Sequence, residues 1–225
     1  GLFSVEDVVK SINPPDFYHR PKTSLVCIEN TTNKGGGACW DIKELKKIKK
    51  ICDENNLFFH LDGARIWNAF VKNKINLKEY GKLFDTISVC LSKGLGCPVG
   101  SLLLTSSQYF ENALKIRKIL GGGMRQSGFL AACGIYALDN NINRLKDDHL
   151  KAKEIGDALS KLDYIKNVEP VETNIVIFEL DEKFSSSIFQ NKLSENGIEI
   201  ISMGDNKLRV VTHLDYTQKQ HEYFI

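Results

Sequence analysis

The stretch FFHLDGARIWNAF (58–70) decides the fold class. An apolar run, LFFHLD (57–62), closes on Asp62, Gly63-Ala64-Arg65 follow, and a helical pattern begins at once over 65–72. A short apolar run bounded in this way reads as a buried strand. Upstream, DIKELKKIKKICDENN sets Ile42, Leu45, Ile48 and Cys52 on one helical face with lysines opposite, behind Asp41 as N-cap. SLVCIE (24–29), TISVCLS (86–92) and SLLLTS (101–106) read as further buried strands. Helices are expected over 5–12, closed by Asn13-Pro14-Pro15, and over 107–119, 126–143 and 146–162. Strands alternating with helices at this spacing predict an α/β fold with a mostly parallel sheet.

The pattern changes near residue 160. NIVIFEL (174–180), a helix ending at Asn196-Gly197, IEIISM (198–203) and KLRVVTH (207–213) describe a smaller α/β unit, and the long helix before them is placed to join the two. The expected division is a large domain over 1–150 and a smaller C-terminal domain over 151–225.

Composition narrows the function classes. The 225 residues are 42% hydrophobic and 26% charged, which excludes disorder, a collagen-like repeat or a small disulfide scaffold. A net charge of +2 with dispersed lysines gives no electrostatic reason to expect a nucleic-acid or membrane partner. Six cysteines form no CxxC pair and no zinc-ligand spacing. Those in SVCLS and LAACGIYAL lie in apolar runs, so buried free thiols in a reducing compartment are expected. The start, GLFSVEDVVKSINPPDF, does not read as a signal peptide, and no run of about 18 apolar residues reads as a membrane span. A cytoplasmic location follows as the expectation.

Three segments carry chemistry. In SVCLSKGLGCPVGS (88–101) a strand leads to Ser92-Lys93 among glycines 94, 96 and 100. A Schiff-base lysine needs this arrangement, although a lysine leaving a strand for solvent has the same local pattern. Asp62 closes its strand at the end where α/β sheets bind ligands and can hold a pyridinium nitrogen protonated. As local sequence it reads equally well as a cap for the next helix. LGGGMRQSGFLAACGIYAL (120–138) offers amides and Arg125 at a helix start, suited to phosphate, where a plain flexible loop is the alternative.

HLDGAR, SVCLSKGLGCPVGS and GGGMRQSG, in this order and spacing, strongly resemble the threonine aldolase family. HRPKTSLVCIENTTN (19–33), RLKDDH (144–149), ETNIVIF (172–178) and LRVVTHLD (208–215) extend the resemblance over nearly the whole chain. It implies a pyridoxal-phosphate-dependent transferase-like (fold type I) large domain with a smaller α/β domain. The implied activity is pyridoxal 5′-phosphate (PLP)-dependent cleavage of L-threonine or L-allo-threonine to glycine and acetaldehyde. Lys93 matches the Schiff-base lysine and Asp62 the acid facing the pyridine nitrogen. Arg65 matches an arginine near the substrate carboxylate or the cofactor O3′, and Arg209 the arginine that clamps that carboxylate. Arg125 matches an arginine associated with the cofactor phosphate, of its own or of a neighbouring subunit, Ser92 stands where it can touch that phosphate, and His19 matches an active-site histidine. The base is His19, a histidine outside these residues or a water. His60 and His213 are read as structural.

The family's ENTHN is ENTTN here, with Thr32 in place of the histidine. The family's opening segment, its Gly-Thr phosphate loop and its ring-stacking histidine have no counterpart, so the chain corresponds to the later two thirds of a family subunit. The family's homotetramers with shared active sites imply a homotetramer, with the glycine-rich loops near 35 and 121 as candidate contacts. The alternatives are another fold type I PLP lyase or hydroxymethyltransferase, or a catalytically silent truncated chain.

Overall fold

The computed structural model describes residues 1–14 and 18–225. Its elements run α1 (Val5–Ser11), β1 (Leu25–Glu29), α2 (Ile42–Glu54), β2 (Phe58–Gly63), α3 (Ile66–Asn73), α4 (Leu77–Gly81), β3 (Thr86–Cys90), β4 (Ser101–Thr105), α5 (Ser107–Ile119), α6 (Gly128–Asn140) and α7 (Leu145–Leu159). They continue with β5 (Ile165–Val168), β6 (Ile175–Leu180), α8 (Ser186–Glu195), β7 (Ile201–Gly204), β8 (Lys207–Val211) and α9 (Gln218–Phe224). Helix α1 ends one residue before the expected limit, and Pro15 of its expected stop lies outside the described residues.

The first sheet has the order β1-β2-β3-β4. β1–β2 and β2–β3 are parallel and β3–β4 antiparallel, in keeping with a mostly parallel sheet. One face buries Ile28, Phe59, Leu61 and Val89 against Leu45, Ile48 and Cys52 of α2 and Ile66 and Ala69 of α3. This is the α2 stripe that the helical spacing predicts, and Asp41 caps the helix by accepting from Lys43 N at 2.8 Å. Phe59, Phe84, Tyr80 and Phe70 stack in sequence through this core.

β4 departs from the expectation of a buried strand. Leu102, Leu103 and Leu104 are 43%, 53% and 48% exposed, because β4 is the sheet edge and is incompletely covered on both faces. Helix α6 is likewise apolar all round yet buries only Gly134 and Ala137. It starts at Gly128 instead of 126, since Gln126 has φ +51°. Cys133, on α6, is therefore exposed; Cys27 is exposed too, Cys39 and Cys90 are half-buried, and only Cys52 and Cys97 are buried. The expectation of buried thiols holds for those two alone. No helix among the described residues is long and apolar enough to cross a membrane.

The second sheet, β5-β6-β8-β7, is antiparallel throughout. Central β6 is buried along nearly its whole length, which explains the unbroken run IVIFEL. Helix α7 serves both units. Leu145 packs with Leu91 and Leu95, while Ala152, Ile155 and Leu159 pack against Val176, Phe178 and Leu208. The loop near residue 35 docks against the second unit: Thr173 Oγ1 donates to Gly37 O at 2.8 Å. Gly37, at φ +77°, has no room for a side chain, because a Cβ would stand 2.4 Å from that same hydroxyl.

Helix α7 is pinned to α3 by His149, whose Nε2 bonds Asn68 Oδ1 at 2.9 Å. Burial lowers the imidazole pKa to about 4, and the charge of Lys72 acts in the same direction. The unfolded chain takes up this proton near its ordinary value of about 6.5. The stability contributed is thus fully present above pH ~6.5 and is lost as the pH falls towards 4. His149→Gln keeps a donor for Asn68 and should flatten this acid limb, by on the order of 1–2 kcal/mol after allowance for solvent screening. Urea midpoints at pH 7 and pH 4.5 measure it; equal acid sensitivity in parent and variant would contradict the assignment.

Candidate active site

Parallel register sets one row of the site. Glu29, Asp62 and Ser88 are paired across β1, β2 and β3, so their side chains share a face near the carboxyl ends of the strands. The opposite face carries the α2–α3 core. His60 and Thr86, one row earlier on the open face, bond each other at 2.7 Å, which fits the structural reading of His60.

Asp62 is oriented by its own turn. Its Oδ1 accepts from Ala64 N at 3.0 Å, so the carboxylate braces the chain between β2 and α3 while Oδ2 remains available. The expected capping of the next helix is not what the carboxylate does: Arg65 is the N-cap of α3 and no side chain caps it, so Asp62 braces only the turn before the helix. Arg65 follows immediately at the start of α3. Its pKa is lowered, first by burial and then by the like charge of Arg209, with Glu29, Cys90 and Asp62 opposing. Two guanidiniums, from β2–α3 and from β8 of the other sheet, thus stand in one another's field.

Arg209 is held from the first unit. Its Nη1 donates to Asn33 Oδ1 at 2.6 Å, and Asn33 N donates to Glu29 Oε2 at 2.8 Å. Arg209 Nε is buried with no hydrogen-bond partner among the described residues. A buried N–H of a permanent cation left unpaired is costly, and an anion would relieve it. Glu29 and Asn33, not singled out as site residues from the sequence, complete this cluster. They are the first and last residues of the ENTTN motif, but only strand register reveals that Glu29 stands beside Asp62.

Lys93 comes to the same edge from β3. The strand ends at Cys90, earlier than the expected 92, and Lys93 is exposed on a turn closed by Gly96 N donating to Lys93 O at 2.8 Å. Its amine has no hydrogen bond or ion pair among the described residues, and Ser92 beside it is exposed. Arg125 is exposed on the α5–α6 loop and forms no ion pair among the described residues. His19 is exposed on a turn leading into the Leu25 end of β1, whereas Glu29 and Asp62 mark the other end; its ring lies 3.8 Å from that of Tyr18. The structure therefore groups Asp62, Arg65 and Arg209 with Glu29 and Asn33, brings Lys93 to the same sheet edge, and leaves His19 and Arg125 outside the cluster. His213 is exposed, 3.9 Å from Asp215.

Thr32, where the family motif has histidine, is 1% exposed. It is sealed under the glycine-rich loop: its N–H donates to Ala38 O and its carbonyl accepts from Gly37 N at 2.8 Å. The position shapes the loop that carries Asn33.

Comparison with known proteins places the chain in a family. A family model of beta-eliminating lyases matches residues 1–183. The chain is 36% identical over 225 residues to a probable low-specificity L-threonine aldolase 2 of Arabidopsis thaliana, covering 99% of this chain and 63% of that protein. It is 38% identical over 220 residues to the low specificity L-threonine aldolase of Escherichia coli (strain K12), covering 98% of this chain and 63% of that one. This chain thus spans somewhat under two thirds of the length of these relatives. Among solved structures, a putative L-allo-threonine aldolase from Listeria monocytogenes superposes with a TM-score of 0.79 at 21% identity, over 100% of this chain and 64% of that one, a likeness of fold. By the extent of the family match, the chain belongs to the beta-eliminating lyase family.

Proposed function

We propose that this chain belongs to a pyridoxal 5′-phosphate-dependent carbon–carbon lyase that cleaves L-threonine or L-allo-threonine to glycine and acetaldehyde. The observation that carries the reading is the pair Arg65 and Arg209, with a buried, unpartnered Nε, at the sheet edge reached by Asp62 and Lys93. An amino-acid carboxylate is the anion that such a forked pair fits. In this reading residues 1–150 form the larger, cofactor-binding unit and 151–225 the smaller one. The working protein is a cytoplasmic homotetramer with shared sites, as the family resemblance implies.

The donor set fits the cofactor. Lys93 would hold it covalently, Asp62 Oδ2 would meet its ring nitrogen and Ser92 its phosphate, while Arg125, outside the cluster, would meet the phosphate of a cofactor in a neighbouring subunit. When bound, pyridoxal phosphate supplies an electron sink for the charge left on Cα as the Cα–Cβ bond breaks. The chain's own residues do the rest. Arg209, fixed by Asn33, and Arg65 fix the substrate carboxylate and with it the orientation of the scissile bond. Asp62, braced by Ala64 N, keeps its charge directed at one point. The proton of the β-hydroxyl passes to His19, to a histidine outside these residues or to a water.

Lys93→Ala should abolish the visible absorption of the cofactor-loaded protein; a variant keeping that band and full turnover would remove Lys93 from the role. Asp62→Ala should still take up some cofactor but release acetaldehyde roughly 10²–10³-fold more slowly. Near-normal cleavage would defeat the electron-sink assignment. Arg209→Lys, which loses the fork, should raise KM about 10-fold or more with a smaller change in kcat. Acetaldehyde release from L-threonine and L-allo-threonine separates this activity from other lyases and from a hydroxymethyltransferase.

A further inference from the structure

The segment RLKDDH (144–149) has no role in the chemistry above, yet it lies against the loop that carries Lys93. Asn141, at the end of α6, donates from Nδ2 to Leu95 O at 2.7 Å. Arg144 donates from Nη1 to Gly94 O at 3.2 Å. Two successive carbonyls after Lys93 are therefore held by side chains from the α6–α7 junction. Beneath them the fit is close, since a Cβ on Gly94 would stand 2.8 Å from Leu145 Cδ2 and 3.7 Å from Asn68 Nδ2. Leu145 is fully buried and cannot swing aside without disturbing Leu91 and Leu95.

Arg144 is itself anchored. Its Nη2 donates to Asp148 Oδ1 one turn along α7, and the Asp148 side chain is 1% exposed. The carbonyl of Asp148 accepts from Thr212 Oγ1 at 2.7 Å, and Thr212 N donates to Asn174 O. Thr212 follows β8, the strand that carries Arg209. A continuous polar path thus runs from the Lys93 turn, through Arg144 and Asp148, to the strand of Arg209.

We infer that Asn141 and the Arg144–Asp148 pair are positioning residues. They fix the 91–97 turn so that the Lys93 amine is presented at a set place relative to Arg209. None of them touches the reacting atoms. This rests on the proposed function for its chemical meaning. The hold on the loop is a property of the chain itself.

The test uses the full chain with two changes made separately, Asn141→Leu and the paired Arg144→Met/Asp148→Asn. The pair is changed together because removing Arg144 alone would strand a buried carboxylate. Hydrogen exchange is read at the amides of Leu91, Gly96 and Cys97, which are bonded to Gly100 O, Lys93 O and Leu91 O. Both variants should speed exchange there by about 10-fold or more, while amides of β1 and β2 stay within about 2-fold of the parent. In the cofactor-loaded protein the pH midpoint of the visible band should move in both variants, and borohydride trapping at Lys93 should slow. Unchanged exchange at 91–97, loosening spread equally over the molecule, or a loosened turn with an unmoved midpoint would each overturn the positioning role. A parent chain in which borohydride traps no cofactor on Lys93 would overturn the proposed function itself. A trapped parent with unaltered variants would overturn only the positioning role.

Discussion

Parallel pairing of β1, β2 and β3 obliges each strand to deliver its following loop to one edge of the sheet. Every part of the candidate site that the first sheet supplies depends on that constraint. Asp62, Arg65 and Lys93 are spread over more than thirty positions of sequence, and Glu29 precedes Asp62 by as many again. Only because the strands run in the same sense do their carboxyl ends coincide. The buried face then fixes which residue of each strand is offered to the site. With Phe59 and Leu61 committed to the α2 side, His60 and Asp62 must point the other way.

A second sheet would be of little use to this edge if it were free to move. Hydrogen bonds between groups partly or wholly out of water tie it down, among them Arg209 to Asn33, Thr173 to Gly37 O, Thr212 to Asp148 O and Cys39 N to Glu172 Oε2. Such bonds each contribute about 1 kcal/mol net, more where a charge takes part, and cost more than that when one partner is lost in the interior. The arrangement therefore favours a fixed distance between the two arginines over a hinge. It also explains why α7 spans both cores: a helix packed on Leu91 and Leu95 at one end and on β6 and β8 at the other resists sliding of either unit.

Periodicity made much of the fold legible. The α2 stripe, its Asp41 cap and the strands expected over 24–29, 57–62 and 86–92, found at 25–29, 58–63 and 86–90, follow from spacing, because each element buries one face and local chemistry announces it. α4, β5 and α9 carry no comparable signal; they are short, and packing decides them more than propensity does. The apolar composition of β4 and α6 misled for a different reason. A run of leucines signals something to be covered, without saying that this part of the chain covers it. In the site, Lys93 and Asp62 stand at strand ends where sequence can find them. Glu29 and Asn33 matter through register and through a contact 176 positions away, which no local pattern encodes.

The exposed leucines of β4 and the bare apolar sides of α6 also govern how the chain behaves in solution. A net charge of only +2 provides little long-range repulsion between copies. Short-range attraction between uncovered apolar patches then meets almost no electrostatic barrier. Colloidal behaviour is accordingly set by that surface: the concentration at which the chain stays dispersed should fall with added kosmotropic salt and depend only weakly on pH around neutrality.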